Sequence, residues 1–396
     1  MSNSHAQFET PDAKAAGLTE HGTARLVRVL EREVANRRLP GAVVMVGRGG
    51  RLGVAHALGR QGPEGDTPMS FGSLFRIYSM TKPIVSVAIM RLVEEGRIML
   101  GDPIAKYIPV LADLKVAVTE GDRIARLEPM RRPITIQDLL RHTSGFTYGF
   151  VATGEVAQRY QDARLASPKL TNAEFCAKLA TLPLLHQPGT HWSYSQSTDV
   201  LGCLLEVVHK KTLGEVLREE VMAPLGMHDT AFAIPPEKAA RQALPFSKDP
   251  DTGGPMGLIP THNESGGGGL YGTAPDYARF CQMLANRGSL GSTHILARKT
   301  IEFMASDHLS ADMVIDQNLG LLPPAHGFGL GFGVRRVNGL DSFPGSAGSY
   351  YWGGIAGTTF WIDPKEDLWA VLMLQAPAQR EYYRMLFRNL VYGTLA

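Results

Sequence analysis

The sequence predicts an α+β (α/β) fold in which an antiparallel sheet is flanked by N- and C-terminal helices and carries a mostly helical insertion. Residues 22–38 have a helical period and precede two short apolar runs joined by a turn. Helical patterns then dominate, and strand-like runs return before a last helix. We therefore expect an α/β domain of residues 1–95 and 260–396, a helical domain of residues 96–259, and an active site in the cleft between them.

The first elements follow from local patterns. Residues 42–46 and 52–58 are predicted strands of a hairpin that follows the N-terminal helix. Residues 79–96 form a helix with apolar side chains on nearly every side, which is typical of a buried helix. Proline is tolerated in the first turn of a helix and clashes in its interior, so Pro83 requires this helix to begin close to Ser79.

The remaining elements are predicted by the same periodicities. Helices are expected at residues 136–142, 172–182, 199–210, 213–222, 274–286 and 380–392. Strands are expected at residues 328–336, 358–362 and 368–374. Thr273 is the expected N-cap of the helix that it precedes.

Composition excludes several classes of protein. The chain has 396 residues, a formal charge of +2 and no run of Lys or Arg, so we expect no nucleic-acid partner. No stretch of about 18 apolar residues is present, and no membrane span is expected. The polar residues 1–20 argue against a secretory signal peptide. Three widely spaced cysteines, Cys176, Cys203 and Cys281, are expected to be buried reduced thiols, which favours a cytoplasmic location.

Three short segments together suggest an active site: Ser79-Met80-Thr81-Lys82, Tyr194-Ser195-Gln196 and Trp352-Gly353-Gly354. The first is an S-x-x-K motif whose two polar residues are neighbours on one helix face. A lysine on an otherwise apolar helix is costly unless it has a partner or a function. Taken alone, the motif is better explained by a capping serine and a lysine that reaches solvent, and only its context favours a site.

Tyr194 is the second candidate, and alone it could be a packed aromatic residue. A phenol titrates near pH 10, so it serves as a base only when a nearby cation favours the phenolate. Lys82 would be that cation, and a cluster of Ser79, Lys82 and Tyr194 can activate a hydroxyl without histidine. In the third segment, Gly353 and Gly354 would let a substrate approach the backbone closely, although they could also form a simple hairpin turn.

Other chemistries have little support in the sequence. No G-x-S-x-G, H-E-x-x-H, paired C-x-x-C or P-loop motif occurs. Residues 266–269 are four glycines without the strand and spacing of a dinucleotide site, and we interpret them as a loop. We therefore expect neither a metal nor a cofactor.

Taken together, these segments resemble the serine β-lactamase and penicillin-binding-protein superfamily, and more closely the family VIII carboxylesterases, which have the class C β-lactamase fold. The similarity covers most of the chain, in the family's order and spacing. It rests on residues 74–83, 134–145, 188–195, 224–227, 267–273, 352–354 and 360–364.

The resemblance implies a role for each matched residue. Ser79 would be the acylated nucleophile, Lys82 would share its proton, and Tyr194 would be the general base that also protonates the leaving group. The backbone amides of Ser79 and Ile355 would form the oxyanion hole. His142, in the His-Thr-Ser-Gly segment, is expected to be structural.

The resemblance also implies a substrate class. Trp352 occupies the position of the lysine in the K-T-G motif of β-lactamases, and Gln196 replaces the asparagine of their Y-x-N motif; both changes favour uncharged esters. Tyr148 and Phe150 are expected to line the acyl or alcohol pocket with Trp352. We therefore expect a hydrolase of short-chain carboxylic esters whose partner is a small-molecule ester. Weak β-lactam hydrolysis, acyl transfer and a non-catalytic binding role remain open, as does the oligomeric state.

Overall fold

The computed structural model describes residues 10–63, 65–316 and 320–396. The polar segment that argues against a signal peptide lies partly outside these residues. The α-helices of the described part are α1 (Glu20–Ala35), α2 (Thr81–Glu94), α3 (Ile136–Leu140), α4 (Gly154–Asp162), α5 (Asn172–Leu179), α6 (Ser197–His209), α7 (Leu213–Leu217), α8 (Ala274–Ala285), α9 (Arg298–Met304) and α10 (Arg380–Tyr392).

The strands of the described part are β1 (Gly41–Arg48), β2 (Arg51–Gly59), β3 (Phe75–Arg76), β4 (Lys115–Glu120), β5 (Arg123–Pro129), β6 (His191–Trp192), β7 (Tyr271–Gly272), β8 (Ser289–Leu290), β9 (Thr293–His294), β10 (Val314–Ile315), β11 (His326–Phe328), β12 (Gly333–Arg335), β13 (Tyr350–Gly353), β14 (Thr359–Asp363) and β15 (Leu368–Leu374). Seven of them form an antiparallel sheet in the order β11-β12-β13-β14-β15-β1-β2. A strand from the N-terminal part of the chain, β1, therefore pairs with a strand from its C-terminal part, β15.

Side chains of the central strands alternate between two hydrophobic cores. In β1, Val43 and Met45 belong to a large core that also contains apolar residues of α2, α6 and α8. Val44 and Val46 point to the other face, where α1 and α10 cover the sheet in a smaller core. Because successive strand residues face opposite sides, a strand buried on both faces is apolar throughout, as β15 is and as β1 is up to Arg48.

The predicted α+β class, the antiparallel sheet and the flanking terminal helices are confirmed. One local prediction is wrong. Residues 328–336 are not one strand but parts of β11 and β12, because the chain leaves the sheet between them: Leu330 N bonds to Met304 O, and Gly331 has a φ of +100°. The mostly helical insertion also contains the β4–β5 hairpin. The domain boundaries stay a prediction.

The three cysteines are buried and free, as expected. Burial raises the pKa of the Cys203 thiol and that of the Cys281 thiol well above the ordinary value for cysteine. In the described ranges, none of the helices combines the length and the apolar character that crossing a bilayer requires.

Candidate active site

Ser79 lies in a 3₁₀ turn, Tyr78–Met80, that leads directly into α2. Tyr78 has a φ of +46°, in the left-handed region that costs free energy for a residue with a Cβ. Its hydroxyl accepts a 2.7 Å hydrogen bond from the amide of Ile259, which holds the side chain in place. The chain thus stores local strain immediately before the candidate nucleophile.

Lys82 lies one helical turn after Ser79 and is only 2% exposed. Its ammonium donates to Ser79 Oγ at 3.3 Å, to the hydroxyl of Tyr148 at 3.2 Å and to the carbonyl of Gly267 at 2.6 Å. These three acceptors use all three N–H donors of the side chain. The lysine therefore does not reach solvent, and its charge is directed at the serine.

Tyr194 completes the cluster that the sequence predicted. Its hydroxyl lies 2.6 Å from Ser79 Oγ and accepts a longer, 3.4 Å hydrogen bond from Trp352 Nε1. Lys82 Nζ lies 4.5 Å from the centroid of the Tyr194 ring. The lysine is thus close to the tyrosine, but its hydrogen bonds go to other groups. His142 packs against the same ring, with 4.9 Å between centroids.

The environment of His142 is that of a packed core residue, because aromatic rings surround its imidazole. It is 1% exposed, and its Nδ1 lies 3.2 Å from Ser195 Oγ. Burial, and then the charge of Lys82, lower its pKa well below the ordinary value, so the imidazole is neutral. The ring supports Tyr194 without contacting Ser79 Oγ.

Asp199 is a buried residue of the site that sequence reasoning missed. Its carboxylate accepts hydrogen bonds from Ser265 Oγ at 2.6 Å and from the amide of Gly267 at 2.9 Å. Burial, and next the Asp199 charge, raise the pKa of Tyr148 well above its ordinary value, so Tyr148 stays a neutral phenol. Asp199 therefore holds two of the groups that bind Lys82. The sequence did contain a signal for this residue: an aspartate on a helix that is otherwise largely apolar.

The predicted oxyanion-hole donors are the backbone amides of Ser79 and Ile355. Ile355 follows Gly354 in the turn between β13 and β14, which is closed by a 2.9 Å hydrogen bond from Gly357 N to Gly354 O. A Cβ on Gly354 would lie 2.4 Å from the carbonyl oxygen of Ile77, so only glycine fits against the segment before Ser79. This close approach places the β13–β14 turn against the residues that directly precede Ser79.

A cavity of about 860 Å³ opens onto Ser79. The predicted site residues that line it are Ser79, Tyr148, Phe150, Tyr194, Gln196, Trp352, Gly353 and Ile355. Lys82 and Gly354 are buried behind this wall. Phe150 stacks on Tyr148, with 4.8 Å between ring centroids, and is 56% exposed, so it forms part of the rim. Arg384 and Arg388 of α10 also line the cavity, and sequence reasoning missed both.

The polar groups of the site do not form a metal centre. In the ranges that the structure describes, no three His, Cys, Asp or Glu side chains are grouped as metal ligands would be. The cluster instead contains Lys82, which bonds to Ser79, and the buried Asp199, which bonds to Gly267. This arrangement suits activation of a hydroxyl by neighbouring side chains.

Comparison with known proteins identifies the family. The family model described as Beta-lactamase matches residues 26–391. The chain belongs to the beta-lactamase family. Within this family, it is 35% identical to Protein Rv1367c of Mycobacterium tuberculosis over 351 residues, which are 85% of this chain and 86% of that protein. It is 30% identical to Esterase EstB of Burkholderia gladioli over 381 residues, covering 89% of each.

A solved structure extends this comparison to three dimensions. The structure described as EstCE1, a hydrolase with promiscuous acyltransferase activity, superposes with a TM-score of 0.77 and 26% identity. The match covers 94% of this chain and 99% of that one. The superfamily resemblance and the β-lactamase-like fold that the sequence predicted are therefore confirmed.

Proposed function

We propose that this beta-lactamase family member is a serine carboxylesterase that hydrolyses esters with a short acyl group through an acyl-enzyme on Ser79. One observation carries the proposal: Ser79 Oγ lies 2.6 Å from the Tyr194 hydroxyl and 3.3 Å from Lys82 Nζ, at the wall of an open cavity. The similarity to Esterase EstB and to EstCE1 supports ester chemistry.

In the acylation step, Tyr194 reacts as a phenolate that the charge of Lys82 stabilises: Ser79 Oγ attacks the ester carbonyl carbon, and the serine proton passes to the phenolate oxygen of Tyr194. Lys82 stabilises the negative charge that is shared between these two oxygens as the proton moves. The carbonyl oxygen becomes an oxyanion and accepts hydrogen bonds from the amides of Ser79 and Ile355. The carbon–oxygen bond to the alcohol then breaks, and Tyr194 gives the proton to the departing alcohol.

Deacylation uses the same groups in reverse. Water attacks the acyl carbon and gives one proton to Tyr194, again with the oxyanion held by the two amides. The bond to Ser79 Oγ breaks, the serine recovers a proton from Tyr194, and the carboxylic acid leaves. Water is the one reactant besides the ester that the two steps consume.

Hydrolysis of p-nitrophenyl butyrate by the wild type and by Ser79→Ala tests the proposal. We expect the variant to lose at least 10³-fold in kcat, since no other side chain replaces the nucleophile. Full activity of a folded Ser79→Ala protein would rule out the proposal. A matched Ser195→Ala variant, which removes the hydroxyl that bonds to His142, controls for loss of a serine in the same core.

Acyl transfer to an alcohol is the second candidate, favoured by the description of EstCE1 as a hydrolase with promiscuous acyltransferase activity. The same acyl-serine would react with an alcohol instead of water. Addition of a small alcohol to the esterase assay distinguishes the two, because transfer produces a new ester at the expense of butyric acid. Weak β-lactam hydrolysis is tested in parallel with nitrocefin.

A further inference from the structure

The cavity continues beyond Ser79 along α10, where it meets positive charge. Its volume of about 860 Å³ falls in the range that holds drug-sized ligands rather than a short ester alone. Arg380, Arg384 and Arg388, one helical turn apart, all line this part of the cavity. Glu381 supplies negative charge there and is bonded to Arg384 at 2.8 Å and to Arg380 at 3.3 Å.

Arg388 differs from the other two arginines. It is only 5% exposed and has no carboxylate within ion-pair distance and no hydrogen-bond acceptor within the ranges that the structure describes. Its guanidinium carbon lies 5.0 Å from the ring centroid of Phe343 and 4.8 Å from those of Tyr351 and Trp361. Aromatic faces attract the cation, but they leave its five N–H donors without acceptors.

The neighbouring charges do not provide that acceptor. Asp341 is the carboxylate whose charge acts on Arg388, but it already lies 3.1 Å from Arg335 Nε in an ion pair and is hydrogen-bonded to His326 Nε2 at 2.8 Å. Burial lowers the pKa of Arg388, as expected for a cation removed from water. A buried guanidinium without a partner is costly, and a bound anion would offset that cost.

We propose that Arg388 and the surrounding end of the cavity form an anion subsite that binds a free carboxylate of the substrate, so that the preferred esters carry a second, ionised carboxyl group. The inference rests on the proposed esterase function and gives it a substrate class. It replaces the expectation of uncharged esters, which depended on Trp352 and Gln196. In this proposal, Arg388 of α10 provides the positive charge that Trp352 lacks.

Three matched esters test the subsite: phenyl pentanoate, monophenyl adipate with the carboxylate on the acyl side, and 3-carboxyphenyl pentanoate with the carboxylate on the alcohol side. We expect wild-type kcat/KM for one of the two charged esters to exceed that for the neutral ester at least tenfold. The side that carries the advantage shows which part of the substrate extends along α10. Equal or lower values for both charged esters overturn the proposal.

Arg388→Met and Arg380→Gln form a matched pair of variants, each removing one positive charge from the same helix. We expect Arg388→Met to abolish the charged-to-neutral ratio and Arg380→Gln, whose cation is already paired with Glu381, to retain it. Thermal unfolding establishes that each variant is folded. If Arg388→Met is unfolded, Arg388→Lys replaces it, with the ratio expected to fall because the two-pronged donor is lost. A ratio unchanged by the Arg388 substitution contradicts the proposal.

Binding of adipate to Ser79→Ala, measured by calorimetry, separates this inference from the esterase proposal. Adipate needs no turnover to bind, so binding that is lost in Ser79→Ala/Arg388→Met supports the subsite even if no ester is hydrolysed. Ester hydrolysis by the wild type with no adipate binding and no charged-ester advantage leaves the esterase function intact and rejects the subsite.

Discussion

Arg384 Nη2 donates a 2.5 Å hydrogen bond to the backbone carbonyl of Gly354. The next amide in the chain is that of Ile355, the proposed oxyanion donor. In a trans peptide the C=O and N–H point to opposite sides, so a donor behind the carbonyl fixes the direction of the amide toward the substrate. Arg384 is therefore a positioning residue for the oxyanion hole, 30 residues away in sequence.

Arg384→Met should lower kcat for p-nitrophenyl butyrate about tenfold, less than the loss expected for removal of a direct oxyanion donor. KM should change little, because the interaction acts on the transition state. Arg384→Lys, which keeps a donor, should recover part of the loss. A rise in KM with unchanged kcat would indicate a role in binding instead.

Removal of the Tyr148 hydroxyl should slow acylation. This hydroxyl accepts from Lys82 at 3.2 Å, so Tyr148→Phe leaves one ammonium donor unpaired and lets the lysine shift away from Ser79. We expect kcat to fall about 10- to 100-fold, which is less than the roughly 10²- to 10⁴-fold contribution of a group that itself transfers the proton. Tyr160→Phe is the control, since its hydroxyl bonds to the carbonyl of Pro183 outside this network. Equal losses in the two variants would contradict the assignment.

Two adjacent glycines provide a matched test of the Asp199 contact. A Cβ on Gly267 would lie 2.3 Å from the Asp199 carboxylate, whereas a Cβ on Gly268 meets its nearest atom at 3.7 Å. Gly267→Ala should displace the loop that binds Lys82, reduce kcat, and cost about 1–3 kcal/mol of stability from overpacking. Gly268→Ala should keep the melting temperature of the wild type. Both are measured by thermal unfolding and the ester assay.

Much of the catalytic cluster could be predicted because its signals are local. The S-x-x-K spacing and Pro83 place Ser79 and Lys82 at the start of a helix, and β15 and α10 have the bounds that their apolar periods predict. In contrast, β4 and β5 alternate charged and apolar residues in a region of helical patterns, and only their pairing distinguishes them as strands.

The cavity wall could not be predicted for a different physical reason. Arg384 and Arg388 resemble the solvent-facing charges of an amphipathic helix, and Asp199 resembles a helix N-terminal acid. Their burial depends on tertiary packing that places α10 beside the β13–β14 turn and α6 beside the loop at Gly267. Sequence periodicity gives the face of a helix but not its neighbour.

Asp138 should make stability depend on pH in the acid range. Burial alone would raise its pKa, but hydrogen bonds from Arg132 and Thr135 hold it at about 2, below the ordinary value of about 4. Its contribution is therefore complete above about pH 4 and is lost as pH falls toward 2. Asp138→Asn should lower the free energy of unfolding by about 2 kcal/mol at pH 7, and the difference should shrink across that window.

Urea unfolding of the wild type and Asp138→Asn at pH 7, 4 and 2.5 measures this difference. The exposed Asp113→Asn serves as control and should show no such trend. A difference that stays constant between pH 7 and 2.5 would show that the carboxylate charge of Asp138 is not the stabilising feature.

The central claim is a covalent acyl-enzyme on Ser79, and intact-protein mass spectrometry after brief mixing with p-nitrophenyl butyrate tests it most directly. Tyr194→Phe is measured beside the wild type and Ser79→Ala, because Tyr194 is expected to serve both chemical steps. We predict a butyryl adduct on the wild type that peptide mapping places on Ser79, no adduct on Ser79→Ala, and slower adduct formation in Tyr194→Phe. A butyryl adduct of the same yield on Ser79→Ala would contradict the account.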